Sequence, residues 1–297
     1  MIRKVVMKKF LLLFFLVCSI SANSQEYLVA GCGYDRVSVI NKQGDVIWSK
    51  PVPGSDCNDA EITSDGCILL AYKYGAMLVN RDKKIMWNIE VDYPNEEMYT
   101  ATQLENGNYL LACCGLPSRI MEVNHDGKII KELKYDTGIK NVHSQFRQIV
   151  RTAKNTYIIP VMGKGVIREI SAEGKLLREV KVGGTPFQVN VLKNGNWLIA
   201  GGDGGMVIEI VPETAQVVRR IDNGNFKLCK LKFVAECRVL ENGNILLANW
   251  AGHDRSNQEA PIVLEIDTDN NMVWSLYANS DIYRISTLSL IDKSFTE

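Results

Sequence analysis

A pattern of two short apolar runs separated by an Asn-Gly turn recurs along the chain. One copy runs from Leu104 to Ala112, and two close copies span residues 192–200 and 240–248. Looser copies occupy residues 63–71 and 152–160. Asn-Gly supplies the positive φ angles that a two-residue hairpin needs, so each copy predicts a strand, a turn and a second strand. Internal repetition of this kind indicates a repeat architecture.

A second pattern follows each predicted hairpin, in which apolar residues alternate with polar ones on both sides of a turn. It is clearest over residues 39–48, 122–130, 169–177 and 265–274, and weaker over 79–87 and 209–218. Alternation bounded by Gly and Asn predicts a third and a fourth strand in each unit. We find no convincing pattern for an amphipathic helix.

The spacing of the units predicts the fold class. The second strands begin at Leu28, Leu69, Leu110, Ile158, Leu198 and Leu246, which are 41, 41, 48, 40 and 48 residues apart. One four-stranded blade per period is typical of a β-propeller, so the sequence predicts an all-β, six-bladed β-propeller. The first unit lacks its first strand, whereas residues 284–292 resemble a first strand with no unit after it. We therefore predict that this C-terminal strand pairs into the first blade and closes the ring.

The first 24 residues have the organisation of a secretory signal peptide. Arg3, Lys4, Lys8 and Lys9 precede the apolar run 10–17, and small and polar residues follow. We expect cleavage before Gln25, export to the periplasm or cell surface, and one propeller domain over residues 25–297. Cys18 leaves a lipoprotein as the alternative.

Charge and cysteine content narrow the partners that we expect. Removal of residues 1–24 leaves 30 basic and 34 acidic residues, a formal charge of −4, with no basic stripe for nucleic acid. No later segment is apolar enough to cross a membrane. Seven cysteines remain, in no zinc-type spacing, and we interpret most of them as small buried hydrophobes. We expect a monomer.

Repetition separates framework residues from candidate site residues. Residues that recur at one blade position are interpreted as framework; these are Glu122, Glu169, Glu209 and Glu265, with Trp48, Trp87 and Trp274 packing between blades. Polar residues that break the repeat collect where first strands begin and in one long insertion. Alternation along a strand should make Asp59 and Glu61, and likewise Glu236 and Arg238, face the same side.

The predicted site is the mouth of the central channel, on the face opposite the Asn-Gly turns. Mixed charges around a concave mouth suit a small polar or anionic ligand, to which Arg can give a forked hydrogen bond. His143, with Arg147, is the best candidate for an acid, base or nucleophile, because its ordinary pKa lies near neutrality. The proposed ligand-binding residues are Asp59, Glu61, His143, Arg147, Asn190, Glu236, Arg238, Trp250 and His253.

The hairpins ending in Trp, at residues 44–48 and 270–274, together with the Asn-Gly-Asn hairpins, resemble the repeats of quinoprotein-type (PQQ-like) propellers. The arrangement is also similar to that of bacterial arylsulfotransferase propellers. That resemblance implies a channel-mouth histidine that accepts a sulfuryl group, and His143 with Arg147 matches it in residue type and blade position. Quinoprotein dehydrogenases stack an adjacent-cysteine disulfide on the quinone, as Cys113-Cys114 would, but they have eight blades, so we do not expect PQQ here.

The sequence thus favours an exported binding protein for a small polar ligand or for a surface protein. The first alternative is a propeller enzyme of arylsulfotransferase-like or metal-dependent lactonase-like type. Lactonase-type propellers hold calcium in the channel, and Glu61, Asn190 and Glu236 offer the oxygen ligands that such a channel-bound calcium requires. No motif assigns a metal site. The second alternative is a structural or adhesive surface protein.

Overall fold

The computed structural model describes residues 25–252, 259–291 and 295, and these residues form six four-stranded antiparallel sheets. We call the sheets blades 1 to 6. Blade 1 contains β24 (Thr287–Ile291), β1 (Glu26–Ala30), β2 (Arg36–Asn41) and β3 (Val46–Pro51). Blade 2 contains β4 (Cys57–Ile62), β5 (Ile68–Tyr72), β6 (Gly75–Val79) and β7 (Ile85–Glu90). Blade 3 contains β8 (Glu97–Gln103), β9 (Tyr109–Cys114), β10 (Ser118–Val123) and β11 (Ile129–Tyr135).

The second half of the ring repeats this plan. Blade 4 contains β12 (Val150–Arg151), β13 (Tyr157–Val161), β14 (Val166–Ile170) and β15 (Leu176–Lys181). Blade 5 contains β16 (Gln188–Val191), β17 (Trp197–Ala200), β18 (Met206–Val211) and β19 (Gln216–Asp222). Blade 6 contains β20 (Val234–Val239), β21 (Ile245–Asn249), β22 (Val263–Ile266) and β23 (Met272–Leu276). The helical structure among the described residues consists of three short 3₁₀ turns, Pro53–Ser55, Val142–Ser144 and Met162–Lys164. None of the described helical segments is long and apolar enough to cross a membrane.

The predicted ring closure is confirmed. Strand β24 pairs antiparallel with β1, with Leu288 opposite Val29 and Ser289 opposite Leu28. The strand begins at Thr287 rather than at the expected residue 284, because Arg284 has a positive φ of 53° that an extended strand does not allow. Blade 1 therefore combines three strands from the start of the ring with one from its end.

The recurring hairpins are confirmed, but their turn type differs from the prediction. In blade 3, Leu104 N bonds Asn108 O and Gly107 N bonds Leu104 O, which gives a three-residue loop. Gly107 has a φ of 82°, whereas Asn106 does not take a positive φ. The Asn106 side chain instead accepts a hydrogen bond from Asn108 N (3.1 Å). A type I turn followed by a left-handed Gly, rather than a two-residue turn, joins these strands.

The recurring glutamates tie the third strands to the hairpin turns. Glu122 accepts a hydrogen bond from Asn108 Nδ2 (2.6 Å), and in blade 5 Glu209 accepts one from Asn196 Nδ2 (2.6 Å). Blade 6 repeats the pair with Asn244 Nδ2 and Glu265 (2.6 Å). A hydrogen bond made once per blade satisfies polar groups of the framework, which is why these acids recur.

The recurring tryptophans lie between blades. Trp274 of blade 6 stacks on Tyr27 of blade 1 with ring centroids 5.0 Å apart. Trp48 of blade 1 donates from Nε1 to Arg81 O (2.8 Å) at the edge of blade 2. Large aromatic side chains thus seal the contact between successive sheets. The second strands, such as β5 and β9, are completely buried between their neighbours and form most of the core.

Candidate functional site

The first strand of each blade is the innermost one and lines the central channel. These strands run toward the Asn-Gly turns, so they connect two chemically different faces. We call the side of the Asn-Gly turns the turn face. The opposite side, which carries the connections between blades, is the loop face. A residue early in a first strand lies near the loop face and a late one lies near the turn face.

Strand register arranges the channel residues in three tiers of six. The turn-side tier contains the residues paired with Leu28, Leu69, Leu110, Ile158, Leu198 and Leu246 of the second strands. These paired residues are Ser289, Glu61, Thr102, Val150, Asn190 and Arg238. The middle tier lies two residues earlier in each blade and contains Thr287, Asp59, Thr100, Gln148, Gln188 and Glu236. The loop-side tier precedes it by one further residue and contains Ser286, Asn58, Tyr99, Arg147, Phe187 and Ala235.

β-bulges allow neighbouring residues of one strand to serve two tiers. In β4, β8 and β20 the register shifts at Asn58, Tyr99 and Ala235, which are the extra residues. A bulge bends the strand and re-aims a side chain, and bulges are common beside functional sites. Simple alternation would have placed Tyr99 away from Thr100, whereas the bulge brings Tyr99 to the channel mouth.

A cluster of polar and aromatic residues forms the loop-side mouth. We define this loop-side cluster as Glu97, Tyr99, His143, Arg147 and Phe187. His143 Nδ1 lies 2.8 Å from Glu97 Oε2, and His143 Nε2 lies 3.3 Å from Arg147 Nη2. Tyr99 OH also donates to Glu97 Oε2 and lies 2.9 Å from His143 Nδ1. The 3₁₀ turn 142–144 presents His143 from the blade 4 connection.

These contacts assign the protonation of the histidine. A guanidinium can only donate, so His143 Nε2 must accept from Arg147, and the ring proton lies on Nδ1, where it is donated to Glu97. Burial alone would raise the pKa of Glu97, but the hydrogen bonds from His143 and Tyr99, together with the charge of Lys73, hold it at about 2. Burial raises the pKa of Tyr99 well above its ordinary value, so its phenol remains a donor.

Arg147 lies between two aromatic rings. Its guanidinium carbon is 4.0 Å from the centroid of Tyr99 and 5.3 Å from that of Phe187. Phe233 packs edge-on against Phe187, and Trp250 packs edge-on against Phe233, with centroids 5.2 and 5.4 Å apart. Trp250 Nε1 donates to Cys32 O (3.0 Å) and so joins blade 6 to blade 1. The loop-side mouth therefore has a cation at its centre and a row of aromatic rings beside it.

The remaining predicted residues lie deeper and toward the turn face. Glu236 is completely buried and accepts from Thr287 Oγ1 (2.7 Å) and Leu288 N (2.9 Å). Arg238 binds the other carboxylate oxygen of Glu236 through Nε (2.8 Å) and Nη2 (2.5 Å). Glu61 accepts from Thr102 Oγ1 (2.8 Å) and from Gln103 N. Asp59 Oδ2 accepts from Ala101 N (3.0 Å).

The predicted site residues thus fall into two groups rather than one. His143 and Arg147 meet at the loop-side mouth, with Trp250 farther along its aromatic row. The middle and turn-side tiers hold the other five described residues, Asp59, Glu61, Asn190, Glu236 and Arg238. His253 lies outside the described residues. Within the described ranges, no group of three or more His, Cys, Asp or Glu side chains has the arrangement needed to hold a metal ion.

Sequence reasoning overlooked Glu97, Tyr99, Phe187 and Gln148. Tyr99 is the extra residue of a bulge, and bulges leave no signal in an alternating pattern. Gln148 follows Arg147 directly, and its equivalence to Asp59 and Glu236 emerges only from strand register. Adjacent Cys113 and Cys114 are buried free thiols in β9, away from the channel strand, and burial raises the pKa of Cys113 to about 11.

Comparisons with known proteins place the chain among β-propellers. A family model described as Mal s 1 allergenic protein-like matches residues 24–271. A protein of unknown function from Bacteroides caccae has 37% sequence identity and a TM-score of 0.85, over 91% of this chain and 100% of its own. No curated protein sequence matches significantly.

More distant structures share the architecture at low identity. A catalytically inactive histidine-to-alanine variant of virginiamycin B lyase from Staphylococcus aureus, solved with quinupristin, has 14% identity and a TM-score of 0.61 over 89% of this chain and 88% of its own. The WD40 propeller domain of Doa1 has 14% identity and a TM-score of 0.57, over 75% and 71% of the two chains. These likenesses concern the fold. The expected quinoprotein or arylsulfotransferase relationship is not confirmed by them or by the family match.

Proposed function

The chain belongs to the Mal s 1 allergenic protein-like family, and we propose that it is an exported β-propeller that binds a small anionic ligand at the loop-side mouth of its channel. The acidic group of the ligand binds Arg147, and its apolar part lies against the neighbouring aromatic rings. His143 completes the polar side of the mouth. The sequence suggests a small polar or anionic ligand, and this proposal selects the anionic one.

The proposal rests on the burial of Arg147. Only 4% of its surface is exposed, and no carboxylate among the described residues lies within ion-pairing distance of it. Its Nη1 donates to Phe146 O (2.8 Å) and its Nη2 contacts His143, which leaves further N–H groups for a ligand. A buried charge normally has a counter-charge, since its desolvation is otherwise uncompensated. Here the anion of the ligand is the missing partner.

The distribution of exposed apolar side chains favours a small ligand over a protein partner. They occur mainly as pairs at the start of the outermost strands, such as Ile85 with Met86, Ile129 with Ile130, and Leu176 with Leu177. This arrangement repeats around the ring. A protein-binding site is expected to gather apolar area in one patch rather than to distribute it evenly.

Binding of aryl anions tests the proposal. We expect 4-nitrophenyl sulfate, 4-nitrophenyl phosphate or 4-nitrobenzoate to bind at least tenfold more tightly than neutral 4-nitrobenzyl alcohol in calorimetric titration. Arg147→Gln should weaken binding of the anion about tenfold or more, because it removes charge-assisted hydrogen bonds. Arg147→Lys should retain part of the affinity, because it keeps the charge but loses the fork. Arg178→Gln, at an exposed ion pair with Glu213, is the matched control.

Two results would contradict the proposal. One is the absence of binding by every anion of the panel. The other is equal binding by the wild-type protein and a folded Arg147→Gln variant, which would mean that the guanidinium has only a structural role. In that case Glu97 would balance its charge indirectly, through His143.

The pairing of Glu97 with His143 favours an enzyme as the second candidate. A carboxylate that holds Nδ1–H fixes the imidazole so that Nε2 can act as base or nucleophile once the ligand takes over the Nε2 contact with Arg147. The same 4-nitrophenyl esters report this activity by releasing 4-nitrophenolate. Release that is lost in His143→Gln, while binding of the ester persists, would establish the enzyme.

A further inference from the structure

The turn-side half of the channel contains a separate cavity of about 350 Å³. It extends from the middle tier to the hairpin turns of blades 3 and 4, and Asp59, Glu61, Gln148 and Asn190 are among its lining residues. We propose that this cavity is a second ligand site, which takes a small organic cation with primary ammonium groups. The proposal is independent of anion binding at Arg147, because the two sites use different tiers and opposite charges.

The charged residues that line the cavity are Asp59, Glu61, Glu105, Arg151 and Arg238, and Arg151 is already paired with Glu122 (2.9 Å). Arg238 makes an ion pair with Glu236, and Glu236 is further satisfied by Thr287 and the backbone of Leu288. Asp59 and Glu61 accept hydrogen bonds, but no Lys, Arg or His of the described residues lies within ion-pairing distance of either one. Burial and the charge of Glu236 raise the pKa of Asp59 well above its ordinary value, and the hydrogen bond from Ala101 N and the charge of Arg238 offset this rise only in part.

The hydrogen-bonding inventory of the cavity points to a ligand rich in donors. Gln148 is only 5% exposed, and its Oε1 accepts no hydrogen bond from the described residues. Asp59 Oδ1 and Asn190 Oδ1 are likewise without a donor, although the Nδ2 of Asn190 binds Gln188 Oε1 (3.1 Å) and Cys237 O (2.5 Å). Three surplus acceptors match an ammonium group, which has three donors and no acceptor.

The lining residues bear on which kind of cation the cavity takes. The described residues contain no cluster of acidic, His or Cys side chains that could hold a metal. Amide and carboxylate oxygens are also ligands that calcium takes, so calcium is titrated as a competing ligand in the test below. Two acids, Asp59 and Glu61, that have no ion-pair partner among the described residues favour a ligand with two ammonium groups over one with a single charge.

A matched pair of probes tests the proposal on the full chain. We expect 1,4-diaminobutane to bind at least tenfold more tightly than 1,4-butanediol, which has the same length and no charge, in calorimetric titration at pH 8 and low salt. Asp59→Asn should weaken binding of the diamine about tenfold. Gln148→Glu should strengthen it severalfold, because the added carboxylate faces Glu236 at the position of the 3.5 Å contact of Gln148 Nε2, and a bound diamine relieves this repulsion. Asp126→Asn, in an exposed turn, is the control.

The ammonium site and the anion site at Arg147 can be tested separately. Arg147→Gln should leave diamine binding unchanged, so either site can fail without the other. Equal binding of diamine and diol, or unchanged binding in both folded variants Asp59→Asn and Gln148→Glu, would overturn the ammonium site. Stoichiometric calcium binding that Asp59→Asn abolishes would also overturn it, in favour of a metal site.

Discussion

Glu97 is the residue on which the charge balance of the loop-side cluster depends. It is 7% exposed and holds both His143 and Tyr99 through one carboxylate oxygen. The pKa of Glu97 in the folded protein is about 2, below the ordinary value of 4.5. The folded state therefore stabilises the ionised carboxylate more than the unfolded chain does. Its stabilising contribution is therefore complete above about pH 4.5 and decreases as the pH falls toward 2.

We expect Glu97→Gln to lower the free energy of unfolding by up to about 3 kcal/mol at pH 7, and to have much less effect near pH 2. Urea unfolding of the two proteins across this pH range measures the difference. Glu105→Gln, in an exposed hairpin turn, should change stability by less than about 0.5 kcal/mol at either pH. A Glu97→Gln effect that does not depend on pH would mean that shape rather than charge explains the contribution of Glu97.

At this scale, the sequence could predict candidates but not their neighbours. The search for polar residues that break the repeat selected His143 and Arg147, which meet at the channel mouth. It also selected Asp59 and Glu236, which lie in the middle tier. It could not select Glu97 or Tyr99, because Tyr99 reaches the mouth through a bulge and Glu97 looks like any polar residue at a strand start.

At the scale of elements, β24 carries the closure of the ring. Its Leu288 is almost completely buried, and beyond it Phe295 packs edge-on against Trp48 with centroids 5.5 Å apart. The alternating pattern of residues 284–292 and the incomplete first unit were sufficient to predict this pairing. The turn type was not predictable from Asn-Gly alone, because the same dipeptide occurs in two-residue hairpins and in type I turns followed by a left-handed Gly.

Deletion of residues 287–297 should lower the free energy of unfolding by about 4–8 kcal/mol, since it removes the burial of Leu288, Ile291 and Phe295. It should also expose the edge of β1 and promote aggregation. Thermal and urea unfolding with light scattering measure both effects, and deletion of Glu297 alone is the control. A truncated protein that melts at the wild-type temperature would show that closure by β24 is dispensable.

At the scale of the molecule, the ring converts six similar sheets into a channel with two different ends. The spacing of the hairpins was enough to predict six blades. The division of the channel was not predictable, because it depends on the register of six first strands that contact one another only in the folded ring. Asp59 lies in a first strand and Arg147 lies just before one, and both break the repeat, yet Asp59 lines the cavity near the turn face and Arg147 lies at the loop-side mouth.

Export stays a prediction, and the composition of the ring is consistent with removal of the first 24 residues. The 24 strands of the described residues lie between residues 26 and 291 and complete all six four-stranded blades, so the blades need no strand from the first 24 residues. Those 24 residues lie outside the described part of the chain, and their basic, apolar and small-residue order is that of a signal peptide. A chain that begins at Gln25 should therefore fold with the same melting temperature as the precursor.

In its host, we expect the mature protein to begin at Gln25, as measured by mass spectrometry of the N-terminal peptide. Leu12→Arg combined with Phe14→Arg should interrupt the apolar run and leave the precursor uncleaved inside the cell, since two charges prevent that run from acting as a signal core. Lys42→Gln, in an exposed turn of blade 1, should be exported normally and serves as the control. A mature chain that begins at a lipidated Cys18, or one that retains Met1, would contradict cleavage before Gln25. A lipidated N-terminus would place the ring at a membrane surface, whereas cleavage at Gln25 releases it.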